Sequence, residues 1–243
     1  MRRHLLLASV TLLTALAAAA CSPAAGNKPA ADNTPPPPPP GPGVVLANKC
    51  GMHCFCDVAR ISFTFNVQKP DGSVTSRHWS WQPTGDVVTF GQGDAAKTWT
   101  RAGLTDEQRP DDQRFINDQY WLLFPLHLLW DNATVTDDGQ QPLPIGDGKA
   151  TARRVTVTYP KEGGYTPGDI YELYVDAADR IVQWNHRHGG GADGRAMTWD
   201  DYHTLGPLEL SLSHYTADRK FRVWFTDVEV TLTDGTVAKA SAG

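Results

Sequence analysis

The chain has 243 residues, 22 of them basic and 27 acidic, which gives a formal net charge of −5 at neutral pH. This mildly acidic balance argues against a nucleic-acid partner, because the phosphates of DNA and RNA select basic surfaces. No internal repeat at a fixed period is present, so the residues beyond the N-terminal region, about 200 of them, predict one domain.

Residues 1–20 have the pattern of a secretory signal peptide. Arg2 and Arg3 make a short basic start, and residues 5–20 form an apolar run that ends in small side chains. Such a run is too short to predict a membrane-spanning helix. It ends in four alanines and Cys21, which resembles the lipobox of bacterial lipoprotein precursors, although Ala18 stands where that pattern prefers leucine. The resemblance implies removal of residues 1–20 and lipidation of Cys21; ordinary secretion with a free Cys21 thiol is the alternative.

Residues 21–44 predict a tether between this lipid and the folded domain. They include six consecutive prolines, residues 35–40, and such a segment favours an extended polyproline II spacer of about 3.1 Å per residue. Ser22 follows the cysteine in place of the aspartate that holds many lipoproteins in the inner membrane. We therefore expect an outer-membrane lipoprotein, attached to the membrane through its N-terminal lipid and facing the periplasm.

Four strands are predicted in the first half of the domain. Residues 60–67 alternate cleanly, with Ile61, Phe63, Phe65 and Val67 on one face, which is typical of a half-buried antiparallel strand. Residues 74–81 alternate again, and residues 87–90 and 97–100 are shorter candidates separated by Gly-rich turns.

A short helical region follows, and prolines are expected to limit it. Thr105 and Gln108 have the spacing of a capping box, and Pro110 is expected to interrupt the helix early. Residues 115–121 continue the helical pattern into a dense apolar stretch that contains Pro125. Because proline inside a helix removes a hydrogen bond and clashes with the preceding turn, we expect a break there, followed by an extended segment facing a concave sheet.

The second half predicts a meander of strands. Candidates are residues 153–159, 169–176, 180–187, 197–202, 208–215 and 221–233, with turn signals every eight to twelve residues. The predicted class is α+β, mostly β: a curved antiparallel sheet or half-open β-barrel with a short helical lid, over residues 45–235. Residues 236–243 are expected to form a disordered tail.

Several aromatic and turn motifs resemble LolA/LolB-like proteins, in a lipid-anchored branch. They are residues 117–125, residues 165–171, the turn at 174–176 with residues 181–184, residues 198–202 and residues 225–229. The resemblance implies a half-barrel that holds a lipid or a lipoprotein acyl chain. No nucleophile elbow, P-loop, dinucleotide fingerprint or His-Glu-x-x-His motif is present, so we expect a non-enzymatic binding protein without a cofactor.

Ten aromatic residues are candidates for lining an apolar cavity, with ordinary core packing as the alternative. They are Phe63, Phe65, Trp79, Trp81, Trp121, Phe124, Tyr171, Trp184, Trp199 and Trp224.

A second hypothesis rests on four closely spaced side chains, Cys50, His53, Cys54 and Cys56. Thiolates and imidazole suit Zn²⁺ or Cu⁺, which makes a metal-binding or redox lipoprotein the alternative function. An oxidising periplasm also allows one disulfide among the three cysteines. Histidines at 186, 188, 203 and 214 are a further polar cluster that could bind metal or form a solvated rim.

Overall fold

The computed structural model describes residues 38–241. The expected signal peptide, Cys21 and most of the tether therefore lie outside the described residues. The described residues contain two α-helices, α1 (Pro42–Lys49) and α2 (Arg109–Trp130). The strands are β1 (Val58–Gln68), β2 (Val74–Gln82), β3 (Val87–Phe90), β4 (Lys97–Thr100), β5 (Thr134–Pro142), β6 (Thr151–Thr158), β7 (Ile170–Val175), β8 (Ile181–Arg187), β9 (Arg195–Thr198), β10 (Asp200–Leu205), β11 (Leu208–Tyr215), β12 (Arg222–Leu232) and β13 (Val237–Lys239).

The strands form two antiparallel sheets. The first has eight strands in the order β10-β11-β12-β1-β2-β3-β4, with β13 paired to β12. The second has five strands, β5 to β9, each paired with its neighbour in sequence. Two open sheets and two helices confirm the expected mostly-β α+β class, and neither sheet closes on itself within residues 38–241.

The alternation in β1 has the expected consequence for the core. Ile61, Phe63 and Phe65 are buried, and in the β1–β2 register Phe63 lies opposite Trp79 and Ile61 opposite Trp81. Large apolar side chains on facing positions pack together across the pair, so they fix the register of these two strands.

The expected interruption at Pro110 is wrong. Helix α2 begins at Arg109, so Pro110 lies in its first turn, where the missing N–H has no helical acceptor and the fixed φ suits the helix. The capping box predicted at Thr105 and Gln108 is present only in part: the Thr105 N–H donates to Gln108 Oε1 at 3.0 Å, but the N-cap residue of α2 is Gln108 and it has no side-chain capping bond.

The extended segment expected after Pro125 is also wrong, because α2 continues to Trp130. The effect of proline is confined to a kink at Leu123, whose φ of −113° and ψ of 15° are not helical. Phe124, Leu126 and Leu128 are all buried on this second half. Burying them at about 1.5–3 kcal/mol each outweighs the roughly 3 kcal/mol that an internal proline costs.

Three elements differ from the sequence-based expectations. Helix α1 starts inside the expected tether and packs Gly43 against Leu128 and Val135. Strand β5 is mostly exposed or half-buried, so its sequence shows no alternation. Strand β13 lies in the expected disordered tail, where backbone pairing with β12 and a 2.7 Å ion pair from Lys239 to Glu229 order it.

Helix α2 lies between the two sheets and joins their cores. On one side, Phe115 packs edge-on against Trp79 at 5.6 Å between ring centroids. On the other side, Phe124 packs against Tyr171 at 4.6 Å. In the part of the chain that the structure describes, no helix has both the length and the apolar character needed to cross a membrane.

Candidate ligand-binding site

A cavity of about 780 Å³ lies beside the first half of α2, between strands of both sheets. This volume falls within the roughly 300–1,000 Å³ that is typical of small-molecule sites. Its apolar wall consists of Phe65, Val67, Ile116, Tyr120, Trp121, Tyr171, Trp184, Phe221 and Val223. Its polar wall includes Arg77, Gln113, Asn117, His186 and Arg195. The surface is therefore aromatic inside, with hydrogen-bonding and cationic groups at a few points.

The ten aromatic candidates occupy four kinds of position. Those that line this cavity are Phe65, Trp121, Tyr171 and Trp184. Trp81 lines a second cavity of about 380 Å³, and the fully buried positions in the core are Phe63, Trp79, Phe124 and Trp199. Trp224 is half-buried on the opposite face of β12 from Phe225, with the Arg222 guanidinium 4.7 Å from its ring centroid.

A buried carboxylate holds α2 against the eight-stranded sheet beside this cavity. Asp118 is fully buried and accepts hydrogen bonds from Arg77 at 2.7 and 2.6 Å and from Trp79 Nε1 at 2.7 Å. Charge-assisted bidentate bonds fix distance and orientation more tightly than apolar contact does. They therefore hold the helix in place without filling the neighbouring space. This ion pair could not be predicted from local sequence patterns, because Arg77 and Asp118 are 41 residues apart.

The two arginines at the cavity differ in their partners. Arg77 is neutralised by Asp118 and lies 4.9 Å over the Phe65 ring. Arg195 is exposed, lies 4.8 Å over the Phe221 ring, and has no carboxylate partner among residues 38–241. The edge of the cavity therefore carries one positive charge that is free to meet an anionic group.

Tyr165 is shared by the two cavities. It belongs to the loop between β6 and β7, is half exposed, and lines both cavities. Its hydroxyl accepts a hydrogen bond from Arg101 at 2.8 Å and donates one to Asp112 at 3.3 Å. The sequence marks this position only as an aromatic residue within a Gly-rich loop, so its contact with the other sheet could not be predicted.

A second carboxylate, that of the half-buried Asp131, fixes the C-terminal end of α2. It accepts hydrogen bonds from Tyr120, from Tyr159 at 3.1 Å and from His127 at 3.0 Å. Burial acts to raise the pKa of Asp131, but these donors outweigh it and lower the pKa. Burial raises the pKa of both tyrosines far above their usual value. The cluster is thus a carboxylate held by neutral hydroxyl donors, which suits a structural role.

The cysteines do not form the expected cluster of ligands. All three are free thiols: Cys50 is buried, Cys54 half-buried and Cys56 exposed. Burial, with a smaller contribution from the Glu209 carboxylate, raises the pKa of Cys50 to about 12, so its thiol stays protonated and is a poor metal ligand. Neither these cysteines nor His53 takes part in a metal-ligating group within residues 38–241. The alternative function as a cysteine-based metal or redox protein is not favoured.

Two of the four histidines considered from the sequence come together. His186, on β8, and His188, just after it, both contact Asp169. His203 instead pairs with Asp201 at 3.0 Å. His214 is fully buried on β11, and burial lowers its pKa to about 3.

Neither the protein-family models nor the curated protein sequences contain a match to this chain. Among solved structures, a LolA superfamily protein from Nitrosomonas europaea is 9% identical, with a TM-score of 0.48 over 76% of this chain and 92% of its own. A DUF1329 family protein from Desulfovibrio piger is 10% identical, with a TM-score of 0.43 over 76% and 90%. A domain named as an outer membrane lipoprotein-sorting protein, from Vibrio parahaemolyticus, is 10% identical, with a TM-score of 0.42 over 79% and 92%.

The structural neighbours of this chain thus include a LolA superfamily protein, of the family that the aromatic motifs resemble. At identities of 9 and 10% this likeness concerns the fold alone. A function must be inferred from the cavity itself.

Proposed function

We propose that this chain is a non-enzymatic binding protein of the cell envelope that holds a lipid or another apolar ligand in the 780 Å³ cavity beside α2. The observation that carries the proposal is the cavity wall. Its aromatic and aliphatic side chains come from α2 and from both sheets, so they surround a space that close packing would otherwise fill. An unfilled apolar cavity of this size forfeits dispersion contacts that an apolar ligand would restore.

The ligand that fits this wall best is an amphiphile. An acyl chain or similar apolar body would contact Phe65, Trp121 and Trp184. Arg195 at the edge offers a charge-assisted hydrogen bond to a carboxylate or phosphate group. The binding energy would come from the apolar part, at about 25 cal/mol per Å² removed from water, and the arginine would fix its orientation.

The location follows from the leader pattern rather than from the fold. A signal sequence ending at Cys21 and a Pro-rich tether support export and attachment through an N-terminal lipid. On this proposal the cavity faces the periplasm, at a distance from the membrane set by the tether. The ligand would be a membrane lipid or the acyl chain of another lipoprotein, exchanged with a neighbouring membrane or carrier.

The test uses a side chain that closes the cavity without disturbing the core. Gln113 is exposed on α2 and lines the cavity, so Gln113→Trp places a bulky ring at its edge. We expect the full-length protein to bind a fluorescent fatty acid and Gln113→Trp to bind it at least several-fold more weakly. The matched control is Arg114→Trp, because Arg114 is the next exposed residue and does not line the cavity.

Two results would contradict the proposal. The first is wild-type protein that neither binds the fatty acid nor releases lipid on organic extraction. The second is equal weakening by Gln113→Trp and Arg114→Trp, which would place the probe on the helix surface.

A further inference from the structure

Two histidines and one aspartate converge where β7 begins and β8 ends. Asp169 immediately precedes β7, His186 is in β8, and His188 begins the turn after β8. One potential ligand atom from each residue lies within 4.8 Å of the other two. Of the three, His186 also belongs to the polar wall of the large cavity, whereas Asp169 and His188 do not line it.

The contacts within the group are short and divided between the two carboxylate oxygens. His186 Nε2 lies 2.7 Å from Asp169 Oδ2, and His188 Nδ1 lies 3.0 Å from Asp169 Oδ1. A tetrahedral ion with bonds of 2.0–2.1 Å separates its ligand atoms by about 3.4 Å. Both contacts are shorter than this value and all three ligand atoms lie within 4.8 Å of one another, so small side-chain rotations that move them apart would admit an ion.

Contacts on the protein-facing side hold two members of the group in place. The Asp169 side chain is only 5% exposed, and one of its oxygens also accepts the Gly189 N–H at 2.7 Å. The Tyr171 ring stacks on His186 at 4.4 Å with an interplanar angle of 16°. These contacts fix the carboxylate and one imidazole, as outer contacts do in metal sites.

Glycines allow the two loops that carry the group to approach closely. Gly168 and Gly189 both have positive φ, and a Cβ on Gly168 would lie 3.6 Å from the Gly189 Cα. A Cβ on Gly190 would meet the Gly168 carbonyl oxygen at 3.3 Å. This backbone packing brings Asp169, ahead of one strand, next to His188, beyond the other.

The outer side of the group is open. The His188 side chain is 89% exposed, and His186 and His188 also line a shallow cavity of about 400 Å³ with Asp193 and Arg195. An ion held here would keep positions for water or for an anionic ligand. The nearby Arg195 guanidinium and a bound dication would repel each other, because both are positive. An anionic ligand placed between the ion and Arg195 would relieve that repulsion.

We propose that Asp169, His186 and His188 form a binding site for a divalent transition-metal ion, with Zn²⁺ as its representative. Two neutral imidazoles and one carboxylate are a donor set that suits Zn²⁺, Fe²⁺ and their neighbours. The open positions resemble those of sites that bind a further ligand rather than closed structural sites. The proposal is independent of whether the larger cavity holds a lipid.

The test is Zn²⁺ titration of the full-length protein at neutral pH, followed by calorimetry or equilibrium dialysis. We expect one equivalent of Zn²⁺ to bind and His188→Gln to weaken that binding tenfold or more, because losing a direct ligand costs at least the 10–100-fold that losing an outer contact costs. His188 is exposed and contacts only Asp169 among charged partners, so this variant should fold. The matched control is His203→Gln, which removes one histidine from a single His–Asp pair and should leave affinity unchanged.

The cysteines could also bind Zn²⁺, and the double variant Cys54→Ser/Cys56→Ser tests whether they do. We expect this double variant to keep the equivalent of Zn²⁺, and the Co²⁺-loaded wild type to lack thiolate charge-transfer absorption. Loss of the ion in the cysteine variant, equal affinity in wild type and His188→Gln, or no Zn²⁺ binding by wild type would each overturn the proposal.

Discussion

The two halves of α2 are buried in different ways. The first half, before the kink at Leu123, buries Asp111, Asp112, Asp118 and Gln119 among its apolar residues. The second half buries Phe124, Pro125, Leu126, His127 and Leu128. The large cavity adjoins only the first half, through Gln113, Ile116, Asn117, Tyr120 and Trp121.

This difference suggests how a helix can border an open space inside a fold. Asp118 and Asp112 connect the first half to the eight-stranded sheet through Arg77, Trp79 and Arg101. Such bonds set a separation and need no continuous packing. Apolar side chains stabilise by excluding water and filling volume, so the apolar core residues of the second half pack closely, although this half also borders part of the smaller cavity.

The largest effect should come from removing a filled position in the second half. Phe124 is fully buried and packs against Tyr171 and Trp184. Phe124→Ala should lower the free energy of unfolding by about 3–5 kcal/mol, because the surrounding atoms cannot collapse into the hole. Urea unfolding measures this loss, with exposed Leu129→Ala as the control expected to stay below about 1 kcal/mol. A small loss of stability in Phe124→Ala would mean that the Phe124 side chain also borders free space.

The next largest loss of stability should come from weakening the ion pair between Asp118 and Arg77 in the first half of α2. Asp118→Asn keeps the shape of the side chain but leaves the Arg77 guanidinium without its counter-charge. We expect a loss of about 2–3 kcal/mol, the range for hydrogen bonds to charged groups. The exposed pair of Asp106 with Arg109 provides the control: Asp106→Asn should change stability by less than about 0.5 kcal/mol. Equal losses in both variants would show that the ion pair of Asp118 with Arg77 does not hold the helix.

The sequence predicted those parts of the fold that carry a local pattern. Strands β3 and β4 have the expected bounds, and the alternation of Ile61, Phe63 and Phe65 placed them correctly in the core. The continuation of α2 beyond Pro125 could not be predicted, because the outcome depends on tertiary burial that a local rule about proline does not include. Strand β5 could not be predicted for the converse reason: it is polar, and it pairs with β6 through backbone hydrogen bonds and through ion pairs of Asp137 and Asp138.

The candidate site was predictable in part. Aromatic content indicated Trp121 and Trp184, but periodicity alone does not separate a residue that lines a cavity from one that fills a core, as Phe124 shows. The sequence pattern marks Asp169 only as the start of a predicted strand. Its approach to His188 depends on close packing of two loops, and this has no signature in a single sequence.

The junction of the two halves should make stability depend on pH. His214 packs against the Trp121 ring at 5.6 Å, and burial lowers its pKa to about 3, although the carbonyls of Thr198 and Trp121 act in the opposite direction. In the unfolded chain the imidazole takes up a proton below about pH 6.5. The folded state therefore loses stability as pH falls from 6.5 towards 3, by roughly 2 kcal/mol between pH 7 and pH 5.

The measurement is the free energy of unfolding of wild type and His214→Asn at pH 7 and at pH 5. Acid sensitivity that arises elsewhere is common to both proteins, so the difference between them isolates the imidazole. We expect wild type to lose about 2 kcal/mol more than the variant over this interval. Equal losses would mean that His214 takes up a proton without opening the junction.

The smallest effect on stability, with the clearest effect on binding, should come from Trp121→Ala. Trp121 is half-buried, packs against Trp184 at 4.8 Å and lines the large cavity. Part of its surface already faces free space, so truncation should cost about 1–2 kcal/mol, below the value for a filled core position. Affinity for an apolar fluorescent probe should change clearly, because the ring forms part of the wall. The control is Trp224→Ala, which removes an equally bulky half-buried ring from the other face of β12 and should leave probe binding unchanged. A loss of stability as large as that of Phe124→Ala, together with unaltered probe binding, would show that Trp121 is an ordinary core residue and does not line a cavity.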